Sequence, residues 1–89
     1  MIRWFVHHRV RDYAAWREVY DSFADAQRAG GVRAQAVYQS VDDPNDVTVT
    51  HDFDDVETAR AFFASGELRD AMQRAGVEGE PTLFLGQEV

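Results

Sequence analysis

Ile2-Arg3-Trp4-Phe5-Val6-His7-His8-Arg9-Val10 decides the fold. In an extended chain Ile2, Trp4, Val6, His8 and Val10 point one way, and Arg3, Phe5, His7 and Arg9 the other. That period of two marks a half-buried strand. Asp12 follows at an N-cap position, and from Tyr13 to Ala29 the period turns helical. Tyr13, Trp16, Val19, Tyr20, Phe23, Ala24 and Ala26 fill one side of this helix, opposite Glu18, Asp21, Ser22, Asp25 and Arg28. Gly30-Gly31 supplies its stop.

Val32–Val41 and Val47–Phe53 read as two strands joined by the turn Asp42-Asp43-Pro44-Asn45-Asp46, whose proline presets one backbone angle. Asp54 and Glu57 have capping-box spacing ahead of a second helical region. In that region Val56, Ala59, Phe62 and Phe63 form one apolar stripe, and Leu68, Ala71, Met72 and Ala75 another, about 160° out of phase on a continuous helix. A break at Ser65-Gly66, with Ser65 as a new cap, lets both stripes face the same way. Gly76 ends the region, Gly79-Glu80-Pro81 is a connector, and Thr82–Val89 is the last strand.

The order strand, helix, strand, strand, helix, strand fills residues 1–89 as one domain. It predicts an α+β, ferredoxin-like βαββαβ antiparallel sheet of order 4-1-3-2, with helices on one face. The covered face holds Ile2, Trp4, Val6, Val10, Val47, Val49 and Phe53; the far face carries Arg3, Phe5, His7, Arg9, Thr48, Thr50 and Asp52. A chain of 89 residues with no cysteine buries only about two thirds of its open-chain surface and has no disulfide to add. A homodimer covering the far face, with Phe5 in its middle, is the expected remedy. A solvated sheet face on a monomer is the alternative.

The net charge of −7 disfavours nucleic acid and anionic membrane surfaces as partners. All nine cations are arginine, scattered along the chain. No apolar run approaches a membrane span and the start lacks a signal peptide's order, so a cytoplasmic protein is expected. No nucleotide-binding glycine motif, P-loop or nucleophile-elbow motif is present, and no bound cofactor is expected.

The adjacent histidines His7 and His8 point to opposite faces and cannot share a metal. With Trp4 opposite Phe53, His8 and His51 become diagonal neighbours on the covered face. They are the candidate catalytic residues, neutral imidazoles able to accept a phenolic or enolic proton. The same two rings also fit a purely structural role in the core. Trp4, Trp16, Tyr20, Phe62 and Phe63 are the candidate substrate-binding residues around them. Two histidines without a third ligand fall short of a zinc set, so no metal site is expected. On the far face, Arg3 is placed to pair with Asp54.

Several stretches carry a resemblance: Val10-Arg11-Asp12-Tyr13 leading into Trp16, then Asp42-Asp43-Pro44-Asn45 and Ala59-Arg60-Ala61-Phe62. Leu68-Arg69-Asp70-Ala71-Met72 with Ala75-Gly76-Val77 completes it. The chain resembles the dimeric α+β barrel superfamily, in its antibiotic-biosynthesis-monooxygenase-like group. The resemblance implies a homodimer whose two sheets form a barrel, with a pocket between sheet and helices in each subunit. It also implies a small aromatic or polyketide-like ligand, and cofactor-independent monooxygenase or polyketide-type cyclase chemistry. A non-catalytic binding dimer is the competing class. Haem-degrading relatives share an Asn on the first strand, a Trp on the third and a His on the second helix; this chain has none of these, which disfavours haem degradation.

Overall fold

In the computed structural model, which describes residues 1–89, the alternating stretch Ile2–Val10 is strand β1, and the whole sheet is built outward from it. The elements follow as α1 (Tyr13–Ser22), α2 (Ala24–Ala29), β2 (Ala34–Gln39), β3 (Asp46–Phe53), α3 (Val56–Phe63), α4 (Gly66–Arg74) and β4 (Val77–Gln87). The four strands are antiparallel in the order β2-β3-β1-β4, the ferredoxin-like arrangement expected from the sequence. Ile2, Val6, His8 and Val10 are buried, and so are Val47, Val49, His51 and Phe53 beside them, which fixes the covered face. Full burial of Phe53 alone contributes roughly 2–3 kcal/mol. No helix is long and apolar enough to cross a membrane.

The first helix is two helices. Ser22 turns its hydroxyl back to the Val19 carbonyl at 2.6 Å, a local bond that competes with the backbone ladder. Phe23 then leaves helical geometry at φ −91°, ψ 3° before α2 begins. Asp12 does cap α1, accepting from the Ala15 amide at 3.4 Å. At the end of α2, the Val32 amide reaches back to the Gln27 carbonyl and the Gly31 amide to that of Arg28, both at 3.0 Å. This is a Schellman closure, and Gly31 supplies the positive φ of 99° it requires.

The break between the second pair of helices falls where the opposed stripes demand it, so Ala59 and Phe62 of α3 and Leu68 and Ala71 of α4 are all buried. Ser65 occupies the N-cap position of α4 but makes no side-chain capping bond. The cap of α3 is Asp55, which accepts from Thr58 at 2.8 Å, and not Asp54. Asp54 is instead held by the Arg33 guanidinium, Nε at 2.9 Å and Nη2 at 2.7 Å, so the capping box expected with Glu57 does not form.

The register of β1 against β3 differs from the expected one by two residues. Trp4 lies opposite His51, and Phe53 opposite Ile2. Arg3 therefore pairs not with Asp54 but with Asp52, through Nε at 2.5 Å and Nη2 at 2.9 Å. The last strand starts earlier than expected, at Val77, and the expected connector Gly79-Glu80-Pro81 lies inside it as an irregularity. Pairing with β1 steps from His7↔Thr82 to Arg9↔Glu78, so the extra residues of β4 bulge opposite His8. Gly79 takes φ 67° there, and Pro81, which has no amide to donate, fits where the ladder is interrupted.

The far face exposes Phe84 by 64% and Tyr38 by 58%, with Phe5 tilted against Phe84 at 5.8 Å between ring centroids. Around them run two ion pairs, Arg3–Asp52 and Arg9–Asp43, and a hydrogen bond between His7 and Asp46.

Candidate functional site

Trp16, Tyr20, Phe23 and Gln27 line up along α1, the turn and α2 and face the sheet across a cavity of about 50 Å³. Val6 and His8 of β1 and Val49 and His51 of β3 form its floor, while Phe63, Leu68 and Met72 close one side. The hairpin turn sets the angle of α1 over this floor: the Asn45 side chain accepts from the Tyr13 amide at 2.9 Å, and its carbonyl from the Val10 amide at 2.9 Å.

His51 is only 5% exposed, and neither of its ring nitrogens has a hydrogen-bond partner. Its ring is surrounded by Tyr20, Phe62 and Phe63, with centroids 6.4, 5.6 and 6.3 Å away. Burial in this aromatic setting pulls its pKa down to about 4, so the ring is neutral near pH 7. His8 sits 5.8 Å from Trp16, its Nδ1 is likewise unpaired, and burial lowers its pKa too.

The two histidines are not diagonal neighbours. His8 lies opposite Val47, and the Val6–Val49 pair separates it from the Trp4–His51 pair. That is four residues along the strand, about 13 Å. They share one cavity but mark its two ends, with the stacked rings of Trp16 and Tyr20 (4.8 Å) above.

Of the aromatic candidates, Trp16, Tyr20 and Phe63 line the cavity. Trp4 and Phe62 stand one layer behind. The Trp4 indole donates to the Ala59 carbonyl at 2.8 Å and packs on Phe63 at 4.8 Å, while Phe62 packs on Phe53 at 5.5 Å. The Tyr20 hydroxyl donates outward to Gln35, and burial pushes its pKa up to about 12, so its ring rather than its oxygen serves the cavity. No trio of His, Cys, Asp or Glu side chains gathers anywhere in the fold.

Gln27 is the cavity residue that the sequence reading missed. It is 3% exposed, and its Oε1 has no partner. The signal was present: Trp16, Tyr20, Phe23 and Gln27 follow steps of four, three and four, the spacing of one helical face. Phe63, Leu68 and Met72 also border an outer cleft of about 380 Å³ between α4 and β4, reaching Arg69 and Pro81. These three side chains alone are shared by the cavity and the cleft.

The same four strands and covered face recur in known structures. One from Bordetella bronchiseptica, provisionally named an antibiotic biosynthesis monooxygenase, superposes with a TM-score of 0.85 over 99% of this chain and 96% of that one, at 16% identity. SnoaB of Streptomyces nogalater, a cofactor-independent oxygenase, matches with a TM-score of 0.77 over 99% of this chain and 94% of its own, at 15% identity. A conserved protein from Methanosarcina mazei matches at 0.80 over 99% and 92%, with 14% identity. This is the antibiotic-biosynthesis-monooxygenase fold. No sequence-family model matches the chain, and no curated protein does. Within the monooxygenase fold the cavity described above lies between helices and sheet, and its polar atoms are this chain's own: two histidines and one glutamine.

Proposed function

We propose that this protein is a homodimer that binds a small hydroxylated aromatic or polyketide-like molecule in each cavity and oxygenates it with dioxygen, without a bound cofactor. The observation that carries this reading is His51, buried among aromatic rings with both nitrogens unbonded. Each buried polar atom left without a partner costs about 1–3 kcal/mol. A ligand hydroxyl against His51 recovers that cost, and the surrounding rings supply apolar contact for a flat ligand. In this structure the cavity has room for no more than a water or two. A ring enters when Phe63, Leu68 and Met72 swing aside and join the cavity to the outer cleft.

The chemistry follows from the neutral imidazole. A free phenol has a pKa near 10, about 6 units above His51, so simple deprotonation is uphill by roughly 8 kcal/mol. Proton loss is therefore coupled to electron transfer, because a ring that has given an electron to dioxygen becomes strongly acidic. The phenolic proton passes to His51 as a ring carbon forms its bond to oxygen. His51 returns that proton to the outer peroxide oxygen, giving a hydroperoxide. Its O–O bond then breaks as the C–H bond on that carbon breaks, leaving a quinone carbonyl, and the departing hydroxide takes the C–H proton to become water. Phenol plus dioxygen thus becomes quinone plus water, with every electron supplied by the substrate.

Dimerisation through the far face rests on the exposure of Phe84, beside Phe5, and of Tyr38 on the opposite edge strand. Exposed aromatic rings on a sheet face gain by being covered by the same face of a second copy. The test of the activity is oxygen uptake and quinone absorbance with phenol and quinol substrates, for the parent and for His51→Asn. One dioxygen consumed per quinone formed, reduced about 100-fold or more in the variant, is the expected result. Tight phenol binding with no oxygen uptake would instead assign a non-catalytic binding dimer.

A further inference from the structure

Gln27 and His51 occupy opposite walls of the cavity, one on the helical layer and one on the sheet. Both are almost fully buried, and both present polar atoms with no partner. Gln27 is held in place by its own backbone, whose carbonyl takes the Val32 and Gly30 amides at the end of α2. Its side-chain amide lies against the Tyr20 hydroxyl, whose proton is directed to Gln35. The Tyr20 hydroxyl is thus taken by Gln35, and the Oε1 acceptor of Gln27, a cavity-lining residue, is buried without a partner. A glutamine retained on a stripe otherwise made of Trp16, Tyr20 and Phe23 loses stability there unless something donates to it.

We infer that Gln27 is a second hydrogen-bond anchor for the ligand, accepting from a hydroxyl on the side remote from His51, so that the cavity selects rings bearing two hydroxyl groups over rings bearing one. This rests on the reading of the cavity as a phenol site and adds the residue that sets its specificity. A neutral amide accepts a hydroxyl without taking its proton, so Gln27 orients the ring while His51 handles the reacting end. A methionine at this position would fill similar space and offer only a weak sulfur acceptor.

The test is anaerobic calorimetric binding of phenol, resorcinol and hydroquinone to the parent, Gln27→Met and Gln27→Leu, with thermal unfolding of each protein. The parent should bind at least one diol about 3- to 10-fold more tightly than phenol. Both variants should still bind phenol measurably and lose the diol preference, with melting temperatures unchanged or raised. If one variant fails to fold, the other carries the comparison. If both lose their fold, Gln27 is a structural residue and the inference is overturned. A parent without diol preference, or variants that keep it, also overturns the role of Gln27 while leaving the phenol site standing. Failure of the parent to bind any of the three probes overturns the phenol site, and the role of Gln27 with it.

Discussion

His51 and Trp4 stand directly opposite each other across β3 and β1, yet only one of them is satisfied. The Trp4 indole reaches the Ala59 carbonyl at 2.8 Å and ties α3 to the sheet, whereas both His51 nitrogens are unbonded. The pair therefore divides into a residue tied by its hydrogen bond and one whose polar atoms are free to take a partner. Trp4→Phe should lower unfolding free energy by about 1–2 kcal/mol through the lost hydrogen bond and ring volume, and leave phenol binding within a few-fold. His51→Phe should match or exceed parent stability while phenol affinity falls 10-fold or more. Urea unfolding and calorimetric titration on the two variants check both statements.

Stability should fall as pH drops from about 6.5 to about 4. His51 is held near 4 in the folded state against 6.5 when free, so the unfolded chain binds the extra proton across that window. Its contribution is fully present above 6.5 and is lost as pH falls toward 4, on the order of 3 kcal/mol. The lowered pKa of His8 adds a slope of the same sign. Asp52, held below its usual range by the Arg3 guanidinium, keeps its contribution until lower pH, where protonation removes it. His51→Asn should flatten unfolding free energy between pH 6.5 and 4 while leaving the acid limb in place; an unchanged slope would show that His51 does not titrate as described.

Phe84→Asp should convert the proposed dimer to a monomer of 10.1 kDa. The substitution places a carboxylate beside Phe5, where the ring of Phe84 now packs at a tilt, and repels the equivalent surface of a second copy. Light scattering at micromolar concentration reads the outcome directly. A parent that is already monomeric, with an unchanged mass for the variant, would remove the barrel.

Gly31→Ala should cost about 2 kcal/mol. The position needs φ 99°, and a Cβ there would lie 2.5 Å from the Thr58 Cγ2. Thr58→Ser removes that methyl group and should recover part of the loss but not all of it, because the backbone strain persists. A double-mutant cycle by urea unfolding separates the clash from the strain.

The architecture was legible in the alternation of Ile2–Val10 and in the opposed stripes on either side of Ser65-Gly66, because burial on one face leaves a period in the chain. Register was not legible, for a symmetric reason. Sliding β3 by two residues against β1 keeps every side chain on its own face, so the pattern fits Trp4 opposite Phe53 as well as opposite His51. That single slip also moved the partner of Arg3 from Asp54 to Asp52 and separated His8 from His51. The break at Phe23 was hidden because the apolar spacing runs through it from Trp16 to Gln27, while its cause, the back-bond of Ser22, is local. Gln27 escaped because a polar residue on an apolar stripe reads as noise until its burial is known.

The bulge of β4 has a consequence for how this chain can change. The central pairing of β1 with β3 runs without interruption, while the slack in the sheet is gathered at Gly79, Glu80 and Pro81. Those same residues edge the outer cleft. Residues gained or lost at this spot would reshape the outer cleft and spare the ladder, so the proposed entrance is free to change while the floor beneath it keeps its geometry.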